Sequence, residues 1–104
     1  PRVQVEAQLP AVADEYNAAR ERLAALLGGM PRTRVTEVAG RYVRAECRSR
    51  LFGFVDDLVF YFDPDQAVIH VRSASRVGHS DLGVNRKRVE AIRELWDKKM
   101  SAEK

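Results

Sequence analysis

The stretch from His70 to Arg88 reads HVRSASRVGHSDLGVNRKR and holds the densest group of side chains that could bind a ligand or react. The guanidinium groups, hydroxyls and amide that we single out in it are Arg72, Ser73, Ser75, Arg76, Ser80, Asn85 and Arg86. Arginine offers planar paired donors that suit carboxylate and phosphate groups. If a helix begins at Ser80 or Asp81, its free backbone N–H groups and its dipole also favour an anion. We therefore take these seven residues as candidate ligand-binding residues.

The same residue types also serve as ordinary scaffold. Ser80 and Asp81 could cap the helix, and the Asp81 carboxylate would then occupy the place of an anion. Asp56 and Asp57 could neutralise the nearby arginines, because carboxylates near a core need partners. Adjacent acids in a strand point to opposite faces and cannot act as a catalytic pair. We assign Asp56, Asp57 and Asp81 to salt bridges and capping, and both interpretations of the motif stay open.

The sequence gives little support to metal or nucleophile chemistry. His70 and His79 are the two histidines, and neither has the spacing of zinc ligands. Cys47, the single cysteine, alternates with small apolar residues as a buried thiol does. No nucleophile elbow or ordered triad surrounds the serines. We predict no metal and no cofactor, and we leave enzymatic activity open while favouring its absence.

Hydrophobic periodicity indicates the elements that must position these residues. Apolar residues at helical spacing predict a first helix over residues 12–27, which Gly28 and Gly29 end. Four runs with the alternation or composition of strands follow. They cover residues 33–38, 41–51, 54–63 and 67–73. A loop over residues 74–80 then leads into a last amphipathic helix that ends near Met100.

Short connections between the four runs favour antiparallel neighbours. We predict an α+β fold in one domain, residues 1–104, with a four-stranded antiparallel sheet flanked in sequence by two helices. Both helices should cover one face of the sheet, and the other face should be polar. We expect residues 1–11 to form an N-terminal extension and residues 101–104 to fray.

Composition narrows the classes of protein. The 104 residues are 45% hydrophobic and 32% charged, which suits one globular domain. No apolar run approaches the roughly 20 residues of a membrane helix. A net charge of +3 favours anionic partners. We do not expect nucleic acid, because few aromatic residues are placed for base stacking and no nucleic-acid-binding motif is present.

Two segments, FGFVDDLVFYFD at residues 52–63 and RSASRVGHSDLGVNRKRVEAI at residues 72–92, resemble a bacterial family known as domain of unknown function 1499. The likeness runs from about Tyr42 to Ile92. The family implies no established activity. The location stays open between the cytoplasm and, if a leader was removed, the cell envelope. The residues carried over by motif are Asp56, Asp57, Arg72, Ser73, Ser75, Arg76, Gly78, Ser80, Asp81, Gly83, Asn85 and Arg86.

This sequence departs from the family pattern in two ways. An aromatic residue is expected where His79 stands, which argues against a shared catalytic histidine. Fuller members carry a cysteine-containing stretch before the first helix, and we expect that part to be missing here.

Three functional hypotheses follow. The leading one is a small binding or accessory domain that holds an anionic group, on a small ligand or a protein partner, at the Arg/Ser loop before the last helix. The first alternative is a small hydrolase or transferase that uses a serine or aspartate of the same loop. The second is a structural module that pairs through its polar sheet face or an edge strand. The leading hypothesis fails if Arg72 and Arg76 are fully neutralised and no pocket is left.

Overall fold

The chain forms one strand, then a helix, then four consecutive strands and a last helix. The computed structural model describes residues 4–10, 16–49, 53–76 and 82–102. These ranges contain β1 (Gln4–Pro10), α1 (Tyr16–Gly28), β2 (Thr33–Ala39), β3 (Tyr42–Arg48), β4 (Val55–Asp63), β5 (Val68–Ser75) and α2 (Leu82–Ala102). The two helices and the antiparallel sheet confirm the predicted α+β class.

The sheet has five strands in the order β1-β5-β4-β3-β2, so the predicted count of four is wrong. The additional strand is β1, which lies in the stretch assigned to an N-terminal extension and pairs antiparallel with β5. Its sequence, QVEAQLP, contains several weak strand formers. Its partner lies about 60 residues further along the chain, so no local hairpin signal marks it.

One face of the sheet packs against both helices, as predicted. Strand β4 alternates between buried and half-buried residues along its whole length. Its buried side chains Leu58, Phe60 and Phe62 share a core with Leu23 of α1 and Trp96 of α2. This period of two is the one expected of a sheet with a single covered face.

We call the opposite side of the sheet the open face. It carries Arg44 and Glu46 of β3, Asp57 and Tyr61 of β4, and Arg72 of β5, all exposed or half-buried. Neither helix covers these side chains. The open face is therefore a polar surface of the sheet that is accessible to solvent.

The ends of several elements differ from the predictions. Strand β5 continues to Ser75, because its last residues still pair with β4 and β1, whereas a loop was predicted from Ala74. Helix α2 reaches Ala102, beyond the predicted end near Met100. The predicted cap residues Ser80 and Asp81 lie outside the described residues. Neither described helix is long and apolar enough to cross a membrane.

We expect Leu9→Ala to destabilise the protein by about 2–5 kcal/mol, because Leu9 of β1 is fully buried and its loss leaves a cavity. Chemical denaturation followed by circular dichroism measures this change. Gln4→Ala is the matched control on the same strand, where an exposed side chain should matter by no more than about 0.5 kcal/mol. Equal stability of both variants would show that β1 is dispensable.

Candidate functional site

The sheet separates the predicted ligand-binding residues into two groups. Because successive residues of β5 point to opposite faces, Ser73 and Ser75 lie on the helix side. Arg72 and Arg76 point to the open face and are exposed. The structure therefore does not bring the arginines and the serines into one site.

The serines belong to a buried polar cluster with Asp56, Asn85 and Arg88. The Ser73 hydroxyl donates to Asn85 Oδ1 at 2.6 Å, and Asn85 Nδ2 donates to Ser75 Oγ at 2.9 Å. Arg88 Nη1 donates to Asp56 Oδ2 at 2.7 Å and lies 3.2 Å from Asn85 Oδ1. These bonds join β4 and β5 to the first turns of α2.

The geometry of this cluster is typical of structural polar groups. Ser73, Ser75 and Asn85 are fully buried. The second oxygen of Asp56, Oδ1, is buried without a hydrogen-bond partner in the described part of the chain. None of the described grooves is lined by these five residues. Asp56 thus stands in an ion pair with Arg88, a partner that the sequence analysis did not name.

Arg88 could have been found from helix periodicity. It follows Asn85 by three residues and precedes Val89 and Ile92, which are buried on the core side of α2. Residues three and four apart share a helix face. An arginine on that face needs a buried partner, and Asp56 provides it. Arg86 lies on the exposed surface of the same helix.

An ion network occupies the centre of the open face. Arg76 binds Asp57 with two parallel bonds, Nε to Oδ2 at 2.9 Å and Nη2 to Oδ1 at 2.8 Å. Its Nη2 also contacts Glu46 Oε2 at 2.7 Å, and Arg34 Nη2 contacts Glu46 Oε1 at 3.0 Å. Hydrogen bonds from Arg34 and then Arg76 lower the pKa of Glu46. Asp57 and then Glu46 raise the pKa of Arg76.

Arg72 stands apart from this network. It is exposed and forms no ion pair with any residue in the described ranges. It lines two open grooves on the same face, one of about 450 Å³ towards β1 and one of about 280 Å³ towards β3. The binding hypothesis required that Arg72 and Arg76 are not both neutralised. Arg76 is paired with Asp57 and Glu46, whereas Arg72 forms no ion pair with a described residue.

An aromatic row runs across β3, β4 and β5 beside Arg72. Tyr42 and Tyr61 have ring centroids 5.1 Å apart, and His70 is nearly parallel to Tyr61 at 6.2 Å. His70 Nε2 lies 3.1 Å from Asp63 Oδ2. This contact, which is the largest cause, lowers the pKa of Asp63. The imidazole is thereby fixed against the tyrosine ring.

Metal ligands do not cluster in the described ranges. Within them, no group of three or more histidine, cysteine, aspartate or glutamate side chains could hold an ion. Cys47 is buried, and its sulfur lies 3.4 Å from the Thr33 hydroxyl. Ser80, Asp81, Gly78 and His79 lie outside the described residues.

We expect Arg34→Gln to raise the pKa of Glu46, because the bond from Arg34 is the largest cause of its depression. A carboxylate with a depressed folded pKa stabilises the protein above its usual value of 4.5. That contribution is lost as the pH falls through the folded pKa. Carboxyl-carbon NMR titration measures the change, with Arg41→Gln as a control that removes a charge elsewhere. An unchanged Glu46 titration in Arg34→Gln would contradict the pairing.

We expect Arg88→Met to destabilise the protein by about 3–5 kcal/mol, because it leaves the Asp56 carboxylate buried and unpaired. Denaturation of Arg88→Met, Asp56→Asn and the double variant should give a coupling energy of about 0.5–3 kcal/mol. Arg86→Met is the control on the exposed side of α2 and should cost no more than about 0.5 kcal/mol. Strictly additive effects would show that the two side chains act independently.

Comparison with known proteins gives a family but no activity. No curated protein matches this sequence. The crystal structure of TTHA0849 from Thermus thermophilus is 16% identical, over 90% of this chain and 88% of that one, with a TM-score of 0.32. A likeness at that score carries no weight for fold or function. Residues 4–95 match the family described as protein of unknown function, DUF1499, and the chain therefore belongs to that family.

Proposed function

We propose that this protein is a small binding domain without enzymatic activity, whose open face holds the anionic group of a ligand at Arg72. The proposal moves the expected site from the loop before α2 to the sheet. One observation carries it: Arg72 is an exposed guanidinium that forms no ion pair with any acid of the described residues.

The neighbouring charges explain why Arg72 is suited to this role. Glu46 and Asp57 are already held by Arg76, and Asp63 is held by His70. The negative charges of Glu46 and Asp57 are thus compensated by the guanidinium groups of Arg76 and Arg34. A guanidinium offers paired donors to a planar carboxylate, and a ligand bonded in this way gains both strength and orientation.

The larger groove beside Arg72 indicates the size and polarity of the rest of the ligand. At about 450 Å³ it falls within the range of small-molecule sites. Val59 provides an apolar contact, Tyr61 and His70 provide aromatic surface, and Gln8 provides an amide. An anion with a flat apolar body fits these groups.

Glu6 restricts the charge of the ligand. It lies directly opposite Arg72 across β1 and β5 and lines the same groove, yet the two side chains form no ion pair. Its carboxylate offsets part of the charge of Arg72 and repels every negative charge on the ligand, so the net attraction falls as the ligand's charge increases. We therefore expect a monoanion such as a carboxylate rather than a multiply charged group.

The serine chemistry of the enzymatic alternative gains no support from the described residues. Ser73 and Ser75 are buried and hydrogen-bonded to Asn85. Neither hydroxyl lines the three grooves described among the residues of the sheet. The open face instead offers exposed charge and aromatic surface, which suit binding.

We expect aromatic carboxylates, with benzoate as the first probe, to raise the unfolding midpoint of the wild type at constant ionic strength. Selective binding to the folded state must stabilise it. Loss of the charged hydrogen bonds in Arg72→Gln should weaken binding roughly tenfold. Thermal shift and amide chemical shifts of β5 in NMR titrations measure both effects.

Arg41→Gln is the matched control, because it removes the same charge from the exposed turn between β2 and β3, outside the groove. It should bind benzoate as the wild type does. Equal affinity in Arg72→Gln and the wild type, or no saturable shift with any carboxylate tested, would show that Arg72 is not a binding group.

A further inference from the structure

A second groove lies where β2 begins and β3 ends. It has a volume of about 280 Å³. We call it the basic groove, and its lining residues are Arg32, Thr33, Arg34, Glu46 and Arg48. Three guanidinium groups and one carboxylate line it, whereas one guanidinium group and one carboxylate line the larger groove beside Arg72.

The single acid of the basic groove is already engaged. Glu46 Oε1 accepts a bond from Arg34 at 3.0 Å, and Oε2 accepts one from Arg76 at 2.7 Å. Arg32 and Arg48 are exposed and form no ion pair with any residue that the structure describes. The groove therefore keeps an excess of positive charge from two separate segments of the chain.

The backbone holds the two unpaired arginines in place. The N–H of Arg48 donates to the carbonyl of Arg32 at 3.0 Å, which ties the end of β3 to the residue before β2. The Thr33 hydroxyl donates to the carbonyl of Pro31 at 3.0 Å and closes the turn on the other side. The backbone bond thus keeps the Cα atoms of Arg32 and Arg48 next to each other across the end of the sheet.

Arg32 has a left-handed backbone with φ of 52°. Glycine adopts this conformation without strain, and asparagine tolerates it better than arginine does. The chain nevertheless places a cation here, beside Arg48. Residues held in such conformations cluster at binding sites, where the surrounding structure maintains them.

We propose that the basic groove binds a phosphate group through Arg32 and Arg48. Arg34 lines the same groove and stays paired with Glu46, whose charge it compensates. Two guanidinium forks that approach from different segments suit a tetrahedral dianion, which can accept bonds on several oxygens. A dianion also relieves the mutual repulsion of the arginines better than a monoanion. This site is separate from Arg72, which does not line the basic groove.

The test is an NMR titration with inorganic phosphate, at a pH where phosphate is mostly dianionic and at an ionic strength held constant with NaCl. Saturable shifts are expected at the amides of Arg32, Thr33, Arg34 and Arg48. Arg32→Asn and Arg48→Gln should each bind roughly tenfold more weakly. Arg41→Gln, which removes one charge from the exposed turn between β2 and β3, should bind phosphate as the wild type does.

Two readouts separate a binding role from a structural one. Arg32→Asn should keep or raise the unfolding midpoint in phosphate-free buffer, because asparagine suits the left-handed backbone better. Wild-type affinity for phosphate in Arg32→Asn and Arg48→Gln would overturn the proposal. The proposal is also overturned if NaCl alone produces the chemical shift changes, or if phosphate produces none.

Two further probes identify the source of the phosphate group. Glycerol 3-phosphate presents it in solution, and phosphatidylcholine vesicles containing phosphatidic acid present it on a membrane surface. Arginine-dependent binding to either supports the basic groove and shows which form it takes. Failure of both, with inorganic phosphate also silent, overturns it, whatever the result with benzoate at Arg72.

Discussion

The ion pair between Asp56 and Arg88 joins the sheet to the last helix inside the protein. The two charged atoms are 2.7 Å apart, and both side chains are largely buried. A buried charge is tolerated only with a partner, so β4 and α2 must keep their relative positions. Asn85 adds bonds to Ser73 and Ser75 and carries the same constraint to β5. These bonds, together with the apolar core, fix where α2 crosses the sheet.

The alternation of the strands then separates structure from binding. Ser73 and Ser75 point into the joint, while Arg72 between β1 and β4 points to solvent. Residues that are neighbours in sequence thus serve opposite faces. Of the motif's described residues, Ser73 and Ser75 are buried on the helix side, whereas Arg72 and Arg76 are exposed on the open face. This is why the candidate sites lie on the open face and at its edge.

Electrostatic compensation divides the open face into regions. In its centre, Arg76 satisfies Asp57 and part of Glu46, and these charges are used within the protein. Towards β1, Arg72 faces an aromatic groove, and at the start of β2, Arg32 and Arg48 carry the excess charge. Exposed ion pairs contribute little to stability. Their main effect here is to leave particular guanidinium groups available and others occupied.

The sequence by itself determined the class of fold, both helices and the four strands from β2 to β5, since hydrophobic periodicity is a local property. Its motifs also indicated the family. The position of Asp56 and Asp57 in a predicted strand marked them as carboxylates that need partners. Only the tertiary structure decided that residues 4–10 form β1, because their strand partner is distant in the chain. It also decided that β5 extends to Ser75, that Asp56 pairs with Arg88, and which arginines stay unpaired. Those features depend on distances between separate segments, and no local pattern of residues encodes such distances.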